Sequence, residues 1–324
     1  MKVINIQLAP REQNFILFDR NVTDLLKFIS CLMVAMSHYS GYALAKGVSS
    51  SIIYQGIAAT GGYLGVAVFF FLSGYGLMMS DQKHHLGFAD FIKRRLSKTW
   101  IPAVLVSAIW LGINMVIESN GGGNLLCNQH YFLGVIWRFN DEVMWFVQTI
   151  IVMYLFFYVY RVIGLKIPQM EFVALVVLGA IATPLVRWIG IGDPISVPLF
   201  FVGIAIARWQ EIAARLFRSW WCVLLVMLVI LVSAYFGRAD NRVLHGAINY
   251  FCMTGLVTLL AFVNVRIASL PKWVGGCSYD LYLVHYKVHL LLVFLCGVDQ
   301  LWMFVMGTVV VTAGFYNLRK LVRL

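Results

Sequence analysis

The chain has 324 residues, of which 61% are hydrophobic and only 12% charged, with a mean hydropathy of +0.83 and a formal net charge of +11. Soluble domains carry about 25% charged residues, so the composition excludes a soluble globular protein and indicates one that crosses a membrane several times. The basic excess does not mark nucleic-acid binding, because that needs a solvated basic stripe and none is present.

Met1 to Asn21 is polar and charged, with no apolar core followed by a small-residue cleavage site, so no cleavable signal peptide is expected. Residues 1–21 read as a cytoplasmic lead-in, and residues 22–324 as one transmembrane domain. Apolar runs near the roughly 20 residues needed to span occur at 22–45, 58–80, 99–118, 143–163, 170–189, 194–209, 219–236, 246–265, 276–296 and 301–317. The expected fold is therefore all-α, a bundle of about ten transmembrane helices with both termini on one side. Placing the N-terminus in the cytoplasm leaves nineteen lysines and arginines inside and five outside (Lys46, Arg138, Arg187, Arg238, Arg242), with Lys287 inside a span. The positive-inside rule strongly favours that orientation.

The first run holds the sharpest candidates. In Asp24-Leu25-Leu26-Lys27 through Ser37-His38-Tyr39, an eleven-residue step is close to three helical turns, so Asp24, Lys27, Cys31, Ala35 and His38 fall along one stripe. Lys27 and His38 lie about 16 Å apart along it. An ionisable base inside lipid is costly and is expected to face an interior cavity that meets both residues.

The second run, Gly61-Gly62-Tyr63-Leu64-Gly65 to Leu72-Ser73-Gly74-Tyr75, carries small residues that permit close helix approach or a broken helix. It lacks the strand–turn–helix context of a nucleotide-binding loop. Next comes Lys93-Arg94-Arg95-Leu96-Ser97-Lys98. Four cations in six residues at the cytoplasmic face read either as topological anchors in contact with phospholipid or as a phosphate clamp. Asp141 and Glu142 stand at the outer entrance to the fourth run, where a carboxylate could orient or charge a buried histidine. The ninth run places Asp280, His285 and Lys287 in one apolar helix, with His289 a turn on; none is expected to face lipid. The six cysteines include no CxxC pair, HExxH is absent, and no metal is expected.

Five segments, in order, resemble the integral-membrane acyltransferases of acyltransferase family 3. Asp24-x-x-Lys27-x10-His38 is similar to that family's first-helix signature, with lysine at its usual arginine. Gly65 to Tyr75 resembles its FF-x-LSG segment, and Arg95-Leu96-Ser97-Lys98 its arginine-x-x-arginine pair with one lysine substituted. Trp145-Phe146 resembles its WF motif, and Ser278-Tyr279-x-Leu281-Tyr282-Leu283-x-His285 its late motif.

The resemblance implies an acyltransferase of the bacterial inner membrane. It would move acetyl, from acetyl-coenzyme A as donor, to a hydroxyl of an envelope carbohydrate or lipid-linked glycan. On that reading Arg94, Arg95 and Lys98 bind the donor's phosphates, and His38 takes the acceptor's proton. Lys27 stabilises donor charge or the developing thiolate, Asp24 orients Lys27, and Glu142 or Asp141 is the distant carboxylate for His38. His285 is the second candidate base. The expected partners are the acyl donor, the glycan acceptor and the bilayer, with homo-oligomers allowed. The rival reading is a secondary transporter or flippase for an anionic or glycolipid solute, resting on ten spans, intramembrane charges and glycine-interrupted helices; no corresponding broken helices occur in the two halves. A purely structural membrane scaffold is the third.

Overall fold

The computed structural model describes residues 5–8, 17–122, 136–137, 143–192, 194–263, 265–296 and 300–321. The helices are α1 (Arg20–Ala45), α2 (Ile52–Asp81, with a π-turn over Ile57–Gly61), α3 (Phe88–Ser119), α4 (Trp145–Lys166), α5 (Glu171–Ile189), α6 (Val197–Arg208), α7 (Gln210–Arg218), α8 (Trp220–Phe236), α9 (Asn241–Val263), α10 (Lys272–Cys296) and α11 (Leu301–Leu321). Among the described residues seven are long and apolar enough to cross a bilayer, and α6, which forms with α7 a pair bent by 104°, stands at an eighth of the expected places. The remaining two expected spans are α8, at 17 residues, and α10, whose polar side chains dilute its apolar run. The fold is a polytopic helical bundle, with one helix at each of the ten expected places.

Local chemistry sets the ends of these helices. Asp19 caps α1, its Oδ1 accepting from the Val22 N–H at 2.7 Å, and satisfies one of the donors a helix start leaves open. Its Oδ2 accepts from the Ile267 N–H at 3.2 Å, while Asn21 Nδ2 donates to the Ile267 carbonyl at 2.6 Å. A short strand, β2 (Val265–Ser269), is thereby held beside the start of α1, where it pairs antiparallel with β1 (Asn5–Leu8). This corrects the expected eighth span, which ran to 265. Helix α9 stops at Val263 because the branched and alternating Val-Arg-Ile suits a strand. At the other end of the bundle, α5 closes on Gly190 at φ 70, a left-handed cap that glycine adopts without strain.

Helix α1 begins and α11 ends at the same end of the bundle, where Asn21 meets Ile267 and Arg319 donates to the Gly276 carbonyl. We call this the proximal end, and the end where α1 finishes the distal end. Helix α7 lies at the proximal end beyond the bend, with Ala213 and Ala214 buried and Glu211 and Arg215 exposed, the pattern of an interfacial helix. Helix α8 buries no residue and presents its apolar sides outward to lipid.

The closest approach is between α2 and α6. A methyl group at Gly74 would collide with the Phe200 carbonyl oxygen, and one at Gly203 with that of Phe71. These glycines thus serve helix packing of the small-residue kind, and they bring the Phe69-Phe70-Phe71 core against α6. Gly203→Val should lower the thermal unfolding midpoint sharply, since forced overpacking costs about 1–3 kcal/mol. Gly76→Ala, which meets open space, should leave it unchanged or slightly raised. Fluorescence-detected unfolding in detergent compares the two.

Candidate active site

Helices α1 and α10 are parallel neighbours, in step along their length. Cys31 Sγ donates to the Ser278 carbonyl at 2.7 Å, the His38 and His285 rings lie 5.4 Å apart, and the Tyr42 and His289 rings 4.6 Å apart. Each of these pairs is separated by 247 residues. The stripe expected on α1 is therefore matched by a stripe on α10. Asp280, His285, Lys287 and His289 are 0, 0, 6 and 2% exposed, so these polar side chains face protein and not lipid, as the apolar context requires. Asp280 is held by Arg319, with Nε–Oδ1 and Nη2–Oδ2 separations of 2.8 Å each, and Lys287 Nζ reaches Met144 Sδ at 3.1 Å. Since the Tyr282 carbonyl can only accept, the 2.8 Å contact from His285 Nδ1 places a proton on that nitrogen.

His38 lines a cavity of about 1090 Å³ that opens toward the distal end, just above the roughly 300–1,000 Å³ typical of ligand pockets. Around His38 stand Ser37, Tyr42, Tyr282, Tyr286 and His289, with the Tyr286 ring 5.5 Å from the imidazole. Helix α2 contributes Gly62, Tyr63 and Val66, and α4 contributes Trp145. The connection from α5 to α6 forms one wall and is pinned from two sides. Thr149 Oγ1 donates to the Ile191 carbonyl at 2.9 Å, and the Tyr250 hydroxyl to that of Ile195 at 3.0 Å. Phe146, beside Trp145, is instead a core residue, packed against Phe69, Phe70 and Tyr282.

The cationic cluster forms at the proximal end. Lys27 lies within electrostatic reach of Asp24, Arg95 and Arg20, and Lys98 within reach of Arg94, Arg95 and Arg20. The fold thus brings Lys27 of α1 to the basic turn of α3, residues that are about 70 positions apart in the chain. Asp24 packs so tightly on α10 that a methyl at Gly275 would meet its carboxylate at 2.5 Å, and Arg20 Nε lies 3.8 Å from Asp24 Oδ2. Arg95 stacks over Phe91 at 5.7 Å, and its buried Nε has no hydrogen-bond partner among the described residues. An unsatisfied buried donor of this kind costs about 1–3 kcal/mol and marks a place where an anion would bind well.

Between the two lies a layer of hydroxyls. Tyr279 donates to the Thr99 carbonyl at 2.6 Å, Thr99 Oγ1 lies 3.2 Å from the Tyr154 hydroxyl, and Tyr282 donates to the Val143 carbonyl at 2.6 Å. The described lining of the cavity takes in His38 but not Asp24, Lys27, Arg94, Arg95 or Lys98. Glu142 and Asp141 lie outside the described residues. Among the described residues no group of three or more His, Cys, Asp or Glu side chains could hold a metal ion. Sequence reasoning did not single out Tyr42, Tyr63, Tyr286, Arg187 or Arg242 for the site. The available signal was that Arg187 and Arg242 are two of the few cations on the side that the charge rule leaves poor in them.

A family model described as an acyltransferase domain matches residues 22–318, nearly the whole chain. No curated protein and no solved structure gives a significant match.

Proposed function

The chain belongs to acyltransferase family 3 and is a membrane acyltransferase, and from that premise we propose that it moves acetyl from acetyl-coenzyme A to a hydroxyl of an envelope carbohydrate or lipid-linked glycan. The observation that carries this reading is the division of labour along α1. A base lines a cavity at one level, and three turns away a cation joins a cluster containing an unsatisfied arginine.

The donor's phosphates are held by Arg94, Arg95 and Lys98, whose charges suit the diphosphate and 3′-phosphate of coenzyme A. Its pantetheine arm runs between α1, α3 and α10, past the hydroxyls of Tyr279 and Tyr154, to bring the thioester carbonyl toward His38. The step to be bridged is about 16 Å. His38 takes the proton of the acceptor hydroxyl, and the oxygen attacks the thioester carbon. The carbon–sulfur bond then breaks, and the leaving thiolate takes up the proton held by His38, while Lys27, three turns away, stabilises the donor's negative charge. Asp24 orients Lys27, and Glu142 serves as the carboxylate for His38. In an alternative sequence the acetyl rests first on His38; acid-quenched trapping of an acetyl-His38 peptide distinguishes it from direct attack. Family membership favours an enzyme over a transporter, and the buried ionisable groups of α1 and α10 argue against a scaffold.

The reading is tested with purified protein, labelled acetyl-coenzyme A and isolated envelope glycan. Label should enter an alkali-labile ester on the glycan, and its absence with every glycan fraction overturns the reading. The membrane proposed is the bacterial inner membrane with the proximal end in the cytoplasm. On intact cells, a membrane-impermeant maleimide should therefore label a cysteine placed at exposed Arg238 and spare one at Lys93. Labelling at position 93 alone would invert the orientation.

A further inference from the structure

The cavity carries charge that the chemistry above does not use. Arg187, in the last turn of α5, and Arg242, second residue of α9, both line it, and both side chains are exposed at its mouth. They come from separate helices, so no single local motif explains them. Neither has an ion-pair partner among the described residues, and no described residue of the lining is an aspartate or glutamate; Asp141, Glu142 and Asp193 are not in that set. A cation in the last turn of a helix is favoured by the helix dipole, so Arg187 alone says little. Arg242 stands at a helix start, where a cation is disfavoured by about 0.3–1 kcal/mol. There Asp240 Oδ1 accepts from the Arg242 backbone N–H at 2.8 Å, so the nearest carboxylate caps the helix start and forms no ion pair with the guanidinium. Anchoring does not account for the pair either, because the charge rule places anchoring arginines at the opposite end.

Aromatic faces complete the picture. Tyr42, Tyr63, Trp145 and Tyr286 border the same cavity, Tyr63 stacked on His245 at 4.2 Å. Flat aromatic walls pack against the C–H faces of a sugar ring, and guanidinium forks take carboxylate or phosphate oxygens two at a time.

We infer that the acceptor is an anionic sugar: its carboxylate or phosphate is held by Arg187 and Arg242 at the cavity mouth while a hydroxyl reaches His38. The inference rests on the acyl-transfer reading and names the acceptor class for it. Three probes test it on the full chain in nanodiscs: methyl glucoside, methyl glucuronide and a polyprenyl phosphoglucose. Affinity is read by thermal stabilisation or calorimetry, apart from transfer. At least one charged probe should bind at least tenfold more tightly than the glucoside at low salt, with the gap closing as salt rises. The Arg187→Gln/Arg242→Gln double variant should abolish the gap without altering coenzyme A binding, and Arg238→Gln, outside the lining, should preserve it. Preference for the glucuronide assigns a carboxylate sugar, and preference for the polyprenyl probe a lipid-linked phosphate. Equal affinities, no binding of either charged probe, or a gap that survives in the double variant overturns the inference. Transfer of label to sugars without any anion preference sinks this inference alone. Anion preference with no transfer to any acceptor sinks the acyl-transfer reading and leaves an anion site.

Discussion

Replacing His38 with alanine should abolish acyl transfer while leaving a folded protein that still binds coenzyme A. General-base catalysis contributes about 10²–10⁴ in rate, and a fall of that size is expected in single-turnover transfer. The side chain is half-buried and lines the cavity, so its truncation enlarges an existing space and should cost little stability. His285 supplies the contrast. It is fully buried, its Nδ1 engaged with the Tyr282 carbonyl, and its removal leaves a void in the α1–α10 contact. His285→Ala should therefore lower thermal stability by an amount typical of large-to-small core changes, about 2–5 kcal/mol, and any activity loss should track that instability. Near-normal transfer by His38→Ala would move the base to His285 or His289.

Arg95→Ala should weaken coenzyme A binding by about 10- to 100-fold, because hydrogen bonds to charged groups contribute about 1.5–3 kcal/mol and each tenfold is about 1.4. Arg95 is singled out over Lys98 because it is the less exposed of the two and holds the unsatisfied Nε. Arg95→Lys should recover only part of the loss, since an ammonium keeps the charge but not the fork. If these cations were membrane anchors alone, one neutralisation among so many would leave donor affinity untouched. Equilibrium binding of labelled coenzyme A decides between the two, and acceptor affinity should not change in either variant.

Much of the architecture was legible because the bilayer imposes long apolar runs, and each of the ten runs became a helix. The bend at Trp209 was not, since the polar residues that follow it end an apolar run in the same way whether they form a loop or a second helix turned by 104°. Nor was β2, whose five residues are too short to stand out as a strand and whose partner, β1, lies about 260 positions earlier in the chain. The stripe on α1 could be read from spacing alone, as helical periodicity fixes which residues share a face. Its partner stripe could not: the in-step contacts of His38 with His285 and Tyr42 with His289 are long-range, and no local pattern records which helix will lie alongside. For the same reason the sequence names no partner for Asp280: Arg319, which holds it, lies on the next helix. The cation cluster was half visible, since Arg94, Arg95 and Lys98 stand together in the chain, whereas Lys27 joins them only through packing of α1 against the rest.

The central claim is that donor and acceptor meet from opposite ends of one bundle, with the cations of α3 receiving the donor and the His38 cavity receiving the acceptor. It is tested most directly in sealed proteoliposomes of uniform orientation, with labelled acetyl-coenzyme A on one side only and a glycan acceptor on the other. Labelled ester should form when the donor is on the proximal side and the acceptor on the distal side, and His38→Ala should remove it. Ester formation that requires the donor on the distal side, or that proceeds equally in His38→Ala, would contradict the account.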